Sequence, residues 1–288
     1  MKLHPFELQT SHLKVAGLKS DSVKGAPIIA LHGWLDNAAS FLPVSEFLEL
    51  DRPFFAIDLP GHGLSEHRPP GSNYHLLENI VDIVAFIDAL SVYGLDNQRV
   101  TLVGHSLGGI IASLVAAACP DRIDKLVLLD SMGPLTDETS NVLPQLRKAV
   151  KKASQLSSNI TVFPNMSFAV KARMSGVGKL SYEASEYLVK RGVLSVEGGM
   201  SWRTDPRLLK PSFTRLTETQ VEALFAGVEC HVYLLTGKQG YFSSYQALNK
   251  RLNYFKSIEQ FSVEGGHHFH MDGDVKKTAE LMNAYLSN

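Results

Sequence analysis

The sequence predicts an α/β fold built on a mostly parallel sheet, with a helical insertion between two of its strands. Three observations carry this. Six short, nearly continuous apolar runs recur along the chain. Segments of helical period separate them. The rhythm stops from about Met132 to Gly227 and resumes at Val228. Continuous apolar runs fit strands covered on both faces, and their alternation with helices is the pattern of βαβ units.

In chain order, the first strands are expected at Pro27–Leu31 and Pro53–Asp58. A helix follows over Tyr74–Leu90, where Leu76, Leu77, Ile80, Val81, Val84, Ile87 and Leu90 recur at steps of three or four, and Gly94 is its stop signal. Val100–Gly104 reads as a strand and Gly109–Cys119 as an apolar, Ala-rich helix, followed by a strand at Lys125–Leu129. The inserted stretch contains helical segments rich in Lys, Arg, Ser and Glu, such as Gln145–Gln155 and Tyr182–Arg191. Strands return at His231–Leu235 and Ile258–Val263. The expected division is a core of residues 1–131 and 228–288 with a helical cap over 132–227. A length of 288 residues suits one large domain with a sizeable insertion.

Composition narrows the function classes. Hydrophobic residues make up 44% and charged residues 20%, so a substantial core is available. Lys plus Arg number 28 against 29 Asp plus Glu, so the overall charge of -1 provides no field for nucleic acid or an anionic membrane. Cys119 and Cys230 are too few for a disulfide framework and lack metal-site spacing, which suits a reducing, cytoplasmic compartment. Met1 to Val15 holds no apolar block of signal-peptide length. Val100–Pro120 has no charged residue over a span of membrane-crossing length. Its Gly104-His105-Ser106-Leu107-Gly108-Gly109 centre nevertheless reads as a strand, a tight turn and a helix rather than a membrane span.

The strongest chemical signal is Gly104-His105-Ser106-Leu107-Gly108, a Gly-x-Ser-x-Gly pattern between a strand and a helix. A serine on such an elbow takes a strained backbone, and a Cβ at either flanking glycine would clash across the turn. The elbow lifts the Ser106 hydroxyl above the sheet, near a helix N-terminus that favours developing negative charge. A serine needs a base to take its proton. Gly265-Gly266-His267-His268-Phe269-His270 follows the last strand and offers one; His267 is the expected base, with His268 a weaker candidate. The rival reading makes His267, His268 and His270 metal ligands, helped by Asp272 or by His62, Glu66 and His67. No His-Glu-x-x-His or His-x-His-x-Asp-His pattern supports it, so no metal is expected. An acyl-transfer intermediate also needs oxyanion donors. The backbone N–H groups of Leu107 and of Trp34, in His32-Gly33-Trp34, are the expected pair.

These motifs resemble the α/β-hydrolase superfamily. They run in the family's order: His32-Gly33-Trp34, Asp58-Leu59-Pro60-Gly61-His62-Gly63-Leu64-Ser65, the Ser106 elbow and Gly265-Gly266-His267. The stretch from His32 to Phe41, Leu128-Leu129-Asp130-Ser131 and Lys238-Gln239-Gly240-Tyr241-Phe242 are similar to the serine-hydrolase-like subfamily. The resemblance implies a doubly wound sheet of about eight strands, a helical cap, hydrolysis through a Ser–His–acid triad and no cofactor.

One position departs from that pattern. The triad acid of most relatives follows the strand read here as His231–Leu235, but the chain has Gly240 there, and the next acidic residue is Glu259. Asp130, at the end of the strand after the nucleophile strand, is the expected acid; the alternative is that it only caps a turn. Asp272 reads as an exposed residue near the last helix and Asp58 as a loop-fixing one. Gly61-His62-Gly63 fails the dinucleotide fingerprint because position 66 is Glu66, and no phosphate-cradling loop occurs. A serine at 106 disfavours aspartyl-ester chemistry. The expectation is therefore hydrolysis of an apolar, small-to-medium carboxylic ester or thioester by a monomer or homodimer. A cofactor-free C–C hydrolase or haloperoxidase-like enzyme, or a non-catalytic binding protein, stays open. Phe163, Met166, Phe168, Met174, Trp202, Phe213 and Phe225 in the insertion are packing residues first and pocket candidates second. His105, Arg203 and Asp205 are left undecided.

Overall fold

The computed structural model describes residues 1–96, 98–154, 161–244 and 246–287. Eleven strands occur among them: β1 (His4–Gln9), β2 (Lys14–Lys19), β3 (Ile28–Leu31), β4 (Phe54–Ile57), β5 (Val100–His105), β6 (Ile123–Leu129), β7 (Val162–Phe163), β8 (Val193–Val196), β9 (Gly199–Trp202), β10 (His231–Gln239) and β11 (Ile258–Gly266). The helices are α1 (Leu42–Ser45), α2 (Glu78–Ala89), α3 (Leu107–Ala118), α4 (Val142–Ala153), α5 (Met166–Met174), α6 (Tyr182–Gly192), α7 (Glu218–Phe225), α8 (Tyr241–Ser244) and α9 (Val275–Leu286).

Eight strands form one sheet in the order β1-β2-β4-β3-β5-β6-β10-β11. The β1–β2 and β2–β4 pairs are antiparallel and every other pair is parallel. All six strands expected from the apolar runs lie in it. The leading hairpin β1–β2 escaped the sequence reading because β1 alternates and carries glutamate and glutamine, as an edge strand does, while β2 is only a four-residue Val-Ala-Gly-Leu run between lysines. Successive strand residues enter opposite cores. Ile29, Leu31 and Leu102 join Ile83, Phe86, Ile111 and Val115 on the α2–α3 side. Ile28, Ala30 and Val103 join Phe41, Val44 and Met282 on the α1–α9 side. That period of two, buried on both faces, is what makes the sheet doubly wound. The chain runs from β3 outward to β4 and returns to β5 on the other side of β3. The loops after β3 and β5 therefore diverge, leaving a crevice at the carboxyl ends of the strands.

Helix α2 begins four residues later than the periodicity suggests. It passes into a 3₁₀ turn at Leu90–Tyr93 and ends on Gly94, whose φ of 70° needs glycine's freedom. The helical expectations at Gln145–Gln155 and Tyr182–Arg191 correspond to α4 and α6; Gln155 lies outside the described residues. Residues between β6 and β10 also form a small antiparallel sheet, β7-β9-β8, which the composition did not signal. Its strands span two to four residues, too few to register as a period. Phe163 and Trp202 meet edge to face at 5.1 Å there, and Met166 and Met174 pack beside them. Helix α7 belongs to the core side: Val221 and Phe225 join the α2–α3 cluster, with Phe225 stacked on Phe255 at 4.5 Å. No helix among the described residues is long and apolar enough to cross a membrane.

Candidate active site

Ser106 stands between β5 and α3 with φ 50° and ψ −116°. The other non-glycine residues with positive φ, among those described, are Leu35 and Asp130. All three follow strands of the central sheet at the crevice, β3, β5 and β6. Strained backbone concentrated at one sheet edge is characteristic of functional sites. The glycines of the elbow are required by contact: a Cβ on Gly104 would come within 2.5 Å of the Gly108 carbonyl oxygen and the Gly109 backbone. Ser131 locks the turn from the neighbouring strand, donating from Oγ to the Ser106 carbonyl at 2.6 Å.

His267 follows β11 and is 8% exposed. Its Nδ1 lies 2.6 Å from Asp130 Oδ2. Asp130 is buried and also accepts the backbone N–H of Gly237 at 3.2 Å and of Tyr241 at 2.9 Å. The Tyr241 ring packs on the imidazole with centroids 4.2 Å apart. The carboxylate fills the space a side chain at 240 would need: a Cβ on Gly240 would lie 2.5 and 2.6 Å from the two Asp130 oxygens. Glycine at 240 and aspartate at 130 are thus one steric arrangement. Asp130 does more than cap a turn, because it joins the ends of β6 and β10 to the histidine loop. Burial lowers the His267 pKa from 6.5, against the raising effect of its Asp130 hydrogen bond, so the ring is neutral at pH 7.

His105, next to Ser106 in β5, is fully buried and donates from Nε2 to the His267 carbonyl at 3.0 Å. That bond ties the elbow directly to the histidine loop. Trp34 and Leu107 lie after β3 and at the start of α3. Neither backbone N–H has a protein hydrogen-bond partner among the described residues. The Trp34 ring is 38% exposed, and its Nε1 donates to the Leu208 carbonyl at 3.2 Å.

His268 packs edge to face against the His267 ring, with centroids 5.0 Å apart, and is held by Asp36. Its Nε2 lies 3.1 Å from Asp36 Oδ2, while Arg173 of α5 donates to Asp36 Oδ1 at 2.7 Å. Arg173 is a functional candidate the sequence did not suggest, since an arginine in a helical stretch usually faces water. Here it is buried and fastens the inserted segment to the loop after β3. Asp36 Oδ2, His105 Nδ1 and His268 Nε2 lie within 4.8 Å of one another, the spacing of metal ligands. This is a different group from the His267/His268/His270 set weighed in the sequence. The Arg173 guanidinium, also 3.4 Å from His268 Nε2, already supplies the positive charge there and opposes a divalent cation.

Other sequence candidates are placed elsewhere. Asp272 is half-buried rather than exposed and accepts the Ser181 N–H at 2.6 Å. The last helix is capped instead by Asp274. Asp58 fixes its loop, accepting from Ala38 and Leu64 N–H groups at 2.7 and 2.8 Å, and pairs with Arg191. Asp205 is held by Tyr74 and Arg207. The Arg203 Nε donates to the Val193 carbonyl. A cavity of about 400 Å³ between Leu18, Leu42 and Leu64 and Tyr187, Lys190 and Val193 includes none of the residues around Ser106.

His32 and His62 brace the loops. His32 Nε2 accepts the Leu59 N–H at 2.9 Å and His62 Nε2 accepts the Leu35 N–H at 3.2 Å, so each is neutral. Burial lowers the pKa of His32, takes His62 and His270 down to about 3, and holds His105 well below 6.5. These histidines and His267 stay unprotonated in the fold while the unfolded chain takes up protons below pH 6.5. Each then costs stability as the pH falls from 6.5 toward its own folded pKa. The melting temperature is expected to be level between pH 7 and 8 and to fall steeply below about pH 6. Thermal melts by circular dichroism check this, and a flat profile down to pH 4.5, about two units below 6.5, would show that these rings are not neutral.

The chain is similar to known proteins over most of its length. A family sequence model described as alpha/beta hydrolase fold matches residues 26–165. Human serine hydrolase-like protein 2 is 32% identical over 286 residues, covering 92% of this chain and 88% of that protein. A serine hydrolase-like protein of Mus musculus is 31% identical, covering 90% and 87%. The crystal structure of a hypothetical protein from Pseudomonas aeruginosa superposes with a TM-score of 0.89 at 35% identity over 99% of each chain.

Proposed function

The chain belongs to the α/β-hydrolase fold family, in its serine-hydrolase-like group, and on that premise we propose that it hydrolyses a carboxylic ester or thioester through an acyl-enzyme on Ser106. The observation that carries the reading is the 2.6 Å contact of His267 Nδ1 with Asp130, in a loop bonded through His105 to the Ser106 elbow. With Nδ1 engaged by a carboxylate, the neutral ring keeps its lone pair on Nε2, the nitrogen left to take a proton from Ser106.

Ser106 Oγ attacks the acyl carbonyl as His267 Nε2 removes its proton. The Trp34 and Leu107 N–H groups receive the oxyanion. His267 passes the proton to the leaving alkoxide or thiolate, and the acyl-enzyme forms. Water then attacks with His267 again as base and releases the acid. Asp130 holds the imidazole and stabilises its charged form. Glycine where most relatives have the triad acid would suit a non-catalytic protein; the Asp130 carboxylate in the space beside Gly240 supports the catalytic reading. The segment 132–227 is the proposed cap. Gly178, at φ 58°, brings its backbone over the histidine loop, where a Cβ would meet the His268 ring at 2.5 Å and His267 Cδ2 at 3.3 Å.

The test is a series of p-nitrophenyl esters of increasing acyl length, with mass spectrometry of the quenched enzyme. An acyl adduct on the peptide containing Ser106 is expected; turnover with no adduct and no burst would count against the covalent route. The pH profile is a second test. Activity needs neutral His267, and burial depresses its pKa, so the acid limb of kcat/KM is expected to have its midpoint below pH 6.5. A midpoint above 7, roughly half a unit over the unperturbed value, would contradict this assignment.

A further inference from the structure

Helix α4 packs against the protein along one edge only. Ala149 is 1% exposed, whereas Val142, Leu143, Leu146 and Val150 are 45%, 52%, 40% and 53% exposed. At 100° per residue these four fall with Ala149 and Ala153 in one arc about 120° wide. Arg147, Lys148, Lys151 and Lys152 occupy the opposite side. The segment from Thr139 to Ser154 contains no acidic residue. Among the described residues none of the four cations has a carboxylate within ion-pair distance. Lys210 adds another positive charge at the end of α4, its Nζ donating to the Ala153 carbonyl at 2.9 Å, and its neighbour Leu209 is 62% exposed.

We propose that α4 is a docking helix for an anionic lipid surface. Its aliphatic arc enters the boundary between headgroups and acyl chains, and its cations reach the lipid phosphates on long methylene stems. Charge decides the occupant. Four cations without a carboxylate in reach, on a segment with no acidic residue, call for an anionic partner, which an anionic bilayer supplies and the equally cationic α4 of a second copy does not. The overall charge of -1 conceals this, because the acidic residues that balance it lie elsewhere in the chain. Docking here also bears on the candidate site. Gln145 Nε2 of α4 donates to the Ser212 carbonyl at 2.6 Å, and Trp34 Nε1 donates to the Leu208 carbonyl, so residues 208–212 link the docking helix to the Trp34 loop.

Co-sedimentation of the full chain with phosphatidylglycerol–phosphatidylcholine vesicles and with pure phosphatidylcholine vesicles tests this. The expected partition coefficient is at least about tenfold higher on the anionic vesicles and falls with added salt. The triple variant Lys148→Glu/Lys151→Glu/Lys152→Glu is expected to lose that preference. Leu143→Ser/Leu146→Ser/Val150→Ser is expected to bind about tenfold more weakly while melting at the wild-type temperature. Equal partition onto the two kinds of vesicle, or variants that bind as well as wild type, would overturn the proposal. So would sedimentation equilibrium showing a dimer that the leucine-to-serine variant dissociates, which would make a second copy the occupant.

Discussion

Ser106→Ala is expected to lower kcat/KM for p-nitrophenyl esters by about four orders of magnitude or more, with little change in melting temperature. The large effect follows from the role proposed for Oγ: without it no acyl bond forms, and the oxyanion donors can assist only the slow direct attack of water. The small stability effect follows from its surroundings. Ser106 is half-buried, and among the described residues its Oγ has no hydrogen-bond partner whose loss would strand a buried polar atom. The strained φ of 50° is a property of the elbow and remains in the variant. A fluorophosphonate probe separates the outcomes, since wild type is expected to label and the alanine variant not to. Retention of full esterase activity by Ser106→Ala would remove the serine from the reaction altogether.

The second large effect concerns the acid. Asp130→Asn is expected to lower kcat by about 10² to 10⁴, because a carboxamide can present its NH₂ to His267 Nδ1 and favour the wrong tautomer. Asp272→Asn is the comparator and is expected to stay within about twofold of wild type. A mild effect at 130 with a severe effect at 272 would reverse the assignment. Steric exclusion between positions 130 and 240 supplies a sharper test. Gly240→Asp alone forces a Cβ within 2.5 Å of the Asp130 carboxylate and is expected to unfold more easily. Asp130→Gly clears that space, and glycine tolerates the φ of 43° at this position. The double variant Asp130→Gly/Gly240→Asp is therefore expected to recover activity relative to Asp130→Gly. If it recovers none, the two positions do not offer equivalent access to the imidazole.

The central strands and the elbow were legible in the sequence because each depends on local chemistry: apolar runs for buried strands, and glycines where a turn admits no Cβ. Asp130 and His267 could be nominated for similar reasons, both following strands that end at one sheet edge. What was illegible depends on distant partners. Arg173 reads as one more basic residue in a helix, and nothing local places it beside Asp36, 137 positions away in the chain. His105 looks like the variable residue of the serine motif; its bond to the His267 carbonyl spans 162 positions. The β7–β9–β8 sheet escaped because its strands are too short to establish a period. The cationic arc of α4 vanished into a near-zero sum of charges.

Asp130 directly follows β6, the last core strand before the inserted segment, with only Ser131 between it and residue 132. The residue proposed to orient the base and the proposed cap, which would cover the substrate, are thus separated by one residue of chain. Grafting the segment from a relative would alter substrate choice at that seam. A graft that begins after Ser131 keeps both the carboxylate and the Ser131 bond to the elbow, whereas one that begins two residues earlier exchanges them along with the pocket. Transplants made at these two seams are expected to differ in turnover on every substrate, not only in preference among them.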